Sequence, residues 1–181
     1  VSIYDKNDQP IERRIQQSLI NDSAVSKGSY DHFMLKEIYE QPHVIEKTLQ
    51  SFLGEGALNL SSLPWESTSR LTISACGTAY YAGFVAKYWF EKIARLSVDI
   101  DVASEFRYRA PPLCKDGLSL FISQSGETID TLAALEYTKS QGQKIVSIVN
   151  VPESSITRQS DAVLLTHAGP EIGVASTKAF M

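Results

Sequence analysis

Short apolar runs alternate with amphipathic stretches over most of the chain. The runs are rich in β-branched residues and predict buried strands, and the stretches carry apolar residues every three or four positions, which predicts helices. The predicted strands are Leu71–Ala75, Val98–Val102, Leu118–Ile122, Ile145–Val149 and Ala162–Leu165. Helical patterns follow from about Thr78 to Ala94, from Glu127 onwards and near Ser154–Gln159.

This alternation of strand and helix predicts an α/β fold. Nearly continuous apolar strands are typical of a parallel sheet that is covered on both faces, with right-handed crossovers between strands. We therefore expect a three-layer parallel sheet of flavodoxin-like or Rossmann-like topology. Val98–Val102 is the exception, because Asp99 and Asp101 alternate with its apolar residues. We interpret these two carboxylates as a solvated face and not as a metal site.

The region before the sheet has a different pattern. Up to about Gly28 no helical or strand period is sustained, so we expect a tail or linker. From Tyr30 the apolar spacing is helical, Pro42 interrupts it, and the period resumes until Gly54. Because proline lacks an N–H group and disturbs the preceding turn, two helical pieces with a kink are predicted.

Two details concern the ends of predicted helices. In the helix after Glu127, the residues Ile129, Leu132 and Ala133 share one face, and Gly142 stands where a left-handed C-terminal cap is expected. The last residues, 176–181, have the composition of a first helical turn. We expect a helix to begin there.

Composition narrows the functional classes. The 181 residues suit one domain with extensions, and the hydrophobic share of 43% with 21% charged residues excludes a disordered chain. A net charge of −4 argues against a general nucleic-acid binder. No apolar run approaches the roughly 18 residues of a membrane span, and no signal-peptide pattern opens the chain, so we expect a cytoplasmic location. Cys76 and Cys114 form no metal-binding or disulfide pattern.

Three predicted strand–helix junctions combine small residues with hydroxyls. In open parallel sheets, ligands bind beyond the carboxyl ends of the strands. The junctions are Cys76-Gly77-Thr78-Ala79, Ser123-Gln124-Ser125-Gly126-Glu127-Thr128 and Gly173-Val174-Ala175-Ser176-Thr177. If they converge on one crevice, they form a single binding site.

The second junction has the chemistry of a phosphate site. A helix N-terminus presents free N–H groups, and the hydroxyls of Ser123, Ser125 and Thr128 add donors. The sequence lacks both the GxxxxGK[ST] loop of nucleoside triphosphate sites and the GxGxxG fingerprint of dinucleotide sites. A compact monophosphate is therefore favoured, with no cofactor and no metal. The alternative is that these hydroxyls only cap helices.

Other reactive side chains point less clearly to a function. Cys76 has no assignable triad partner, so we interpret it as a small buried residue and not as a nucleophile. The histidines His32, His43 and His167 lack metal-ligand spacing. We expect the first two to be exposed helix residues and the third a loop residue.

Two charged residues have open roles. Glu127 follows Gly126 at a predicted helix start, where its carboxylate either favours the helix dipole or contacts a ligand hydroxyl. Lys178 lies beside the third junction and either serves an anion or faces water. We expect Lys178 to face water.

Five segments of the sequence together carry a resemblance to a known family. They are Met34–Pro42, Ala75–Thr78, Ala103–Arg109, Ser123–Thr128 and Ala168–Phe180. These segments resemble the sugar isomerase (SIS) fold family and occur in the family's order from about Gly28 onwards. Within that family the similarity is to the isomerase domain of the aminotransferases that make glucosamine 6-phosphate from fructose 6-phosphate and glutamine.

The resemblance implies a division of the chain and a site. Residues 1–28 are expected to be the end of an upstream glutaminase domain and a linker, and residues 29–181 a first SIS module, truncated at its C-terminus. The implied substrate-binding residues are Cys76, Gly77, Thr78, Ala79, Ser123, Gln124, Ser125, Thr128, Val174 and Ser176. The family usually has serine at the position of Ala79, so only a backbone contact is expected there.

The resemblance also implies a ligand, a homodimer and binding without catalytic turnover. The expected ligand is fructose 6-phosphate or glucosamine 6-phosphate, and a homodimer is expected. The family's acid–base residues lie in a second module, so this chain is expected to bind the sugar phosphate without turning it over. Two alternatives stay open: a sugar-phosphate-sensing module of a transcription regulator, and an interaction domain whose hydroxyls only cap helices.

Overall fold

The computed structural model describes residues 2–12, 25–53, 63 and 65–181. Its sheet has five parallel strands in the order β2-β1-β3-β4-β5. The strands are β1 (Arg70–Ala75), β2 (Ser97–Val102), β3 (Gly117–Ser123), β4 (Lys144–Val149) and β5 (Ala162–Leu165). All five predicted strands and their parallel arrangement are confirmed.

Five α-helices accompany the sheet. They are α1 (Phe33–Leu53), α2 (Gly77–Trp89), α3 (Ala103–Arg109), α4 (Ile129–Ser140) and α5 (Ser155–Gln159), and α2 continues into a π-helical turn, Phe90–Ala94. The helices cover both faces of the sheet, which confirms the three-layer prediction. The sequence pattern did not delimit α3.

Each face of the sheet has its own apolar core. Because side chains alternate along a strand, odd and even positions face opposite layers. One core joins α2 to strand residues that include Leu71, Ile73, Leu118, Leu120 and Val146. The other joins α3, α4 and α5 to Phe121, Ile145 and Val149, with Phe106, Leu135 and Ile156 from the helices. The strands are thus fixed between two packed layers.

The predicted interruption at Pro42 is wrong, because α1 runs through it as one helix. An interior proline removes one helical hydrogen bond and costs about 3 kcal/mol. Tertiary contacts offset this: Val44 packs against Ala168 and Ala179, and polar side chains of α1 bind the C-terminal segment. The predicted end of this pattern at Gly54 lies outside the described residues.

The buried face of α4 differs from the predicted one. Ile129 is 76% exposed, whereas Thr131 and Thr138 are fully buried. The Thr138 hydroxyl donates to the Ala134 carbonyl at 2.8 Å, which satisfies it within the helix. Small and hydroxylated residues fit here because Phe121 fills the space between helix and sheet. Gly142 follows α4 with a φ of +78°, as predicted for a left-handed cap.

The first described residues fold locally, whereas the last residues bind a distant helix. Residues 2–12 form a tight turn with an antiparallel bridge between Tyr4 and Pro10, in which the Asp5 carboxylate accepts from Asn7 N and Gln9 N. After β5 the described chain contains no further helix. The helical turn predicted at 176–181 is therefore wrong, since that segment is instead bound to α1.

Candidate functional site

The candidate site lies where β1 and β3 are neighbours at the centre of the sheet. From β1 the chain crosses to β2 on one side, and from β3 it crosses to β4 on the other, so the strand order reverses between their carboxyl ends, where ligands bind in open parallel sheets. Ala75 is paired with Ile122 in the sheet register. The next residues, Cys76 and Ser123, therefore lie side by side at the ends of the two strands, and the first two junctions are neighbours.

The 123–128 loop is organised by its own hydroxyls. Ser123 is buried, its Oγ lies 3.0 Å from Thr128 Oγ1, and it accepts a hydrogen bond from Gly126 N at 3.1 Å. Ser125 Oγ accepts from Glu127 N at 3.1 Å. These bonds curl the backbone into a compact loop whose ends are joined by the serine–threonine contact.

Simple helix capping does not account for the hydroxyls at these helix starts. Thr128 occupies the N-cap position of α4, yet among the described residues its side chain makes no capping hydrogen bond. Its hydroxyl contacts Ser123 instead. Cys76 likewise precedes α2 without a side-chain cap. The first-turn amides of α4, which are the groups that attract anions, are therefore not taken by a capping hydroxyl.

Gly126 is the residue that allows this loop to form. Its φ of +65° is a left-handed conformation that favours glycine. A Cβ at this position would fall on the Ser154 side chain and lie 2.8 Å from Val149 Cγ1. The loop thus rests directly on the segment that leads into α5, and Ile156 N donates to Gly126 O at 3.1 Å.

Glu127 fastens the same loop to α5. Its Oε1 accepts from Ser155 N at 2.7 Å. The hydrogen bonds from the Ser155 side chain and backbone, with the positive charge of Arg158, lower the pKa of Glu127 below its ordinary value. The carboxylate therefore binds the first backbone N–H group of α5, a contact that the sequence did not predict.

Asn150, which the sequence reasoning missed, connects the loops from the end of β4. Its backbone N donates to Gln124 O at 3.2 Å, and its Nδ2 donates to Gly169 O at 2.7 Å. Its Oδ1 accepts from Ala168 N at 2.8 Å. A polar residue directly after a buried parallel strand was the available signal, since such positions face the ligand edge of the sheet.

The third junction forms a different structure from the predicted one. No helix begins after Gly173–Thr177 in the described chain. Instead Glu171 closes the segment on itself, accepting from Ser176 Oγ at 2.7 Å, Thr177 N at 2.6 Å and Lys178 N at 2.9 Å. Val174 lies at the tip and is fully exposed. We refer to this segment as the 171–178 loop.

Lys178 is buried, so the prediction that it faces water is wrong. Its side chain donates to Glu40 Oε2 at 2.6 Å. Burial alone would raise the pKa of Glu40, but the hydrogen bond and charge of Lys178, together with Lys36, outweigh burial and lower it. The ion pair attaches the end of the 171–178 loop to α1.

The remaining candidates keep their structural interpretations. Cys76 is half-buried and packs against the core beneath α3 and α4. His32 and His43 are exposed, and His167 lies in a loop with a φ of +50°. Asp99 and Asp101 form ion pairs with Arg70 and Arg109.

The described ranges contain neither a candidate metal site nor a candidate membrane-spanning helix. Those ranges contain no group of three or more His, Cys, Asp or Glu side chains suited to a metal ion. Within the same ranges, every helix is too short or too polar to cross a membrane.

Fold and site together define a doubly wound α/β protein whose candidate ligand site lies at the β1/β3 switch point, between loops rich in hydroxyls and glycine. The SIS domain family matches residues 66–181. The chain belongs to this family. Helix α1 precedes the matched region.

Known relatives and solved structures agree with this assignment. The chain is 60% identical, over 99% of its length, to a glutamine–fructose-6-phosphate aminotransferase (isomerizing) of Brucella abortus, and it spans 30% of that protein. The C-terminal domain of the Francisella tularensis glucosamine-fructose-6-phosphate aminotransferase superposes on 86% of this chain with a TM-score of 0.79 and 49% identity. This chain covers 45% of that structure.

A more distant enzyme has the same fold. Glucosamine-6-phosphate deaminase from Thermotoga maritima is 26% identical, with a TM-score of 0.68, and the match covers 82% of this chain and 44% of that one. The high identity to aminotransferases favours an enzyme module over the regulator alternative.

Proposed function

We propose that this chain is the sugar-phosphate-binding SIS module of a glutamine–fructose-6-phosphate aminotransferase. The observation that carries the proposal is the 123–128 loop, in which buried Ser123 and Thr128 share a hydrogen bond at the switch point of the sheet. Fructose 6-phosphate or glucosamine 6-phosphate is the proposed ligand, since relatives across nearly the whole chain carry that activity in their names.

In this proposal the two central junctions bind different parts of the ligand. The phosphate is held by Ser123, Gln124, Ser125 and Thr128 with the first-turn amides of α4. The sugar faces Thr78 and the backbone around Cys76, Gly77 and Ala79, because these residues leave β1 beside the phosphate loop. Val174 and Ser176 approach the sugar from the 171–178 loop.

The proposed division of the chain places residues 1–28 at the end of a glutaminase domain and linker, and 29–181 in the first SIS module. The chain binds the sugar phosphate without turnover, since moving a proton between C1 and C2 needs a base that the resemblance places in a second module. The cytoplasmic location predicted from the sequence stays a prediction.

The test is a calorimetric titration of the chain with fructose 6-phosphate and glucosamine 6-phosphate. Binding is expected, and the double substitution Ser125→Ala with Thr128→Ala is expected to weaken it roughly tenfold or more, because two hydroxyl donors to an anion are lost. Ser140→Ala, at the far end of α4, is the matched control. Absence of binding to either sugar phosphate contradicts the proposal, and glucosamine 6-phosphate formation by this chain contradicts its binding-only role.

We also propose a homodimer. Helix α2 and its π-helical turn expose a row of apolar side chains at helical spacing, among them Tyr81 at 70%, Trp89 at 63% and Ile93 at 78% exposure. Contiguous exposed apolar surface of this kind favours association with a second copy. Light scattering across a concentration series tests the proposal, and Trp89→Asp is expected to shift the chain to monomer. A monomer at all concentrations contradicts it.

A further inference from the structure

Glu37 is the only carboxylate among the described residues that is buried, with 2% of its surface exposed. It lies on α1, and its Oε1 accepts hydrogen bonds from Ile172 N at 2.6 Å and Gly173 N at 3.0 Å. Burying a carboxylate is unfavourable unless its oxygens are hydrogen-bonded. Two consecutive backbone N–H groups of the 171–178 loop provide those bonds.

The contact also explains the glycine at position 173. A Cβ on Gly173 would lie 2.5 Å from Glu37 Oε2 and 3.5 Å from Met34 Cα. The backbone therefore approaches α1 as closely as a residue without a side chain allows. Because Gly173 directly precedes Val174, the carboxylate fixes the loop one residue before its tip.

Neighbouring residues on the same face of α1 hold the other end of the loop. Gln41 Nε2 donates to Thr177 O at 2.6 Å, and Glu40 pairs with Lys178 at 2.6 Å. Positions 37, 40 and 41 lie three and four residues apart, the spacing that brings helix side chains onto one face. One face of α1 thus binds both ends of the loop that carries Val174 and Ser176.

We infer that Glu37 is a positioning residue for the sugar end of the proposed site. It fixes Val174 and Ser176, while the 123–128 loop holds the phosphate through contacts that do not involve α1. The inference rests on the proposed function. It also extends the scaffold of the site beyond the SIS match, since α1 ends before residue 66.

The experiment compares two ligands on the same isotope-labelled full chain by NMR amide-shift titration. Inorganic phosphate probes the 123–128 loop alone, and fructose 6-phosphate probes both loops. Glu37→Gln keeps the side-chain volume but removes the negative charge, and its amide NH₂ takes the place of Oε2, which accepts from Gly173 N at 3.2 Å. Glu46→Gln is the matched control, since Glu46 is an exposed residue of α1 whose carboxylate accepts from Gln50 Nε2.

Glu37→Gln is expected to weaken fructose 6-phosphate binding about tenfold, because the competent loop conformation becomes less populated. Inorganic phosphate binding is expected to change by less than about twofold on the same argument. Glu46→Gln is expected to alter neither. The amide shifts of Gly173 and Val174 on sugar-phosphate binding are expected to shrink in Glu37→Gln, while those of Gly126 persist.

Other outcomes distinguish a failure of the proposed function from a failure of the inference about Glu37. If the unsubstituted chain binds fructose 6-phosphate no more tightly than inorganic phosphate, the proposed function fails and the inference falls with it. The inference alone is overturned if the unsubstituted chain binds fructose 6-phosphate more tightly than inorganic phosphate but Glu37→Gln has the same affinities as Glu46→Gln. The same holds if Glu37→Gln lowers the affinity for both ligands equally. Should Glu37→Gln not fold, Gly173→Ala decides in its place, because its Cβ displaces the loop while the carboxylate remains. A fructose 6-phosphate affinity unchanged by Gly173→Ala overturns the inference.

Discussion

The two loops of the proposed site are held in opposite ways. The 123–128 loop is bound by its own hydroxyls and by α5, and the partner of Glu127 lies only 28 residues ahead. The 171–178 loop is bound by a helix 135 residues earlier, through the buried carboxylate of Glu37. Mostly short-range bonds hold the first loop, whereas the second depends on contacts with a distant helix. Substitutions are therefore expected to affect the two loops separately.

Gly126→Ala is expected to have the largest effect, because it disrupts the 123–128 loop. A left-handed φ costs alanine about 1 kcal/mol, and overlap with the Ser154 side chain adds to this, for a total loss of roughly 2–4 kcal/mol in the free energy of unfolding. Binding of both inorganic phosphate and fructose 6-phosphate should be lost. Urea unfolding and amide-shift titration measure the two effects.

The control for this substitution is Gly142→Ala. Gly142 has a φ of +78° but open space around its missing Cβ, so only the conformational cost of about 1 kcal/mol is expected. Equal destabilisation by the two substitutions would show that contact with Ser154 contributes nothing to the loop.

The second prediction concerns the effect of acid pH on the attachment of the 171–178 loop to α1. Because the folded-state pKa of Glu40 lies below its ordinary value of 4.5, its ion pair with Lys178 stabilises the fold above that value. The stabilisation is lost as pH falls through the lowered folded-state pKa. The free energy of unfolding of the native chain should exceed that of Glu40→Gln by about 1–2 kcal/mol at pH 7 and converge with it in acid.

Urea unfolding at pH values from 7 to 3 measures this convergence. Taking the difference between the two chains cancels the contributions of ionisable groups that are distant from Glu40. A difference that stays constant as the pH falls would contradict a stabilising role for the Glu40 carboxylate.

The smallest effect is expected from Glu127→Gln. The substitution weakens one exposed hydrogen bond to Ser155 N, so the 123–128 loop loses part of its attachment to α5. Binding of inorganic phosphate and of fructose 6-phosphate should weaken equally, by roughly threefold. Glu136→Gln on α4 is the control. A loss confined to fructose 6-phosphate would instead show that Glu127 contacts a sugar hydroxyl.

The parts of the molecule that follow local rules were predictable from the sequence. Continuous apolar runs identified the strands, and the cap at Gly142 was placed correctly because a left-handed position favours glycine whatever surrounds it. The hydroxyl cluster at Ser123–Thr128 was found for the same reason. Its hydroxyls bond to groups within the loop, which are close in sequence, whereas its contacts with Asn150, Ser155 and Ile156 were not predicted.

The errors arose where distant contacts override local preference. Proline predicts an interruption at Pro42, yet packing and hydrogen bonds to the C-terminal segment keep α1 continuous. Lysine predicts exposure at Lys178, yet Glu40 provides a partner that makes burial tolerable. Glu37 was missed because its partners lie 135 residues further along the chain, whereas Asn150 could have been found from its position directly after a buried strand.

The contacts between α1 and the 171–178 loop also affect the order in which the two loops can form during synthesis. Helix α1 leaves the ribosome well before its partners, because Ile172 follows Glu37 by 135 residues. At roughly 5–20 residues per second, Glu37 and Val44 stay without these partners for about 7 to 27 seconds. The sheet and the 123–128 loop have their own partners by then. The nascent chain should therefore acquire the ability to bind an anion before it acquires the ability to recognise a sugar.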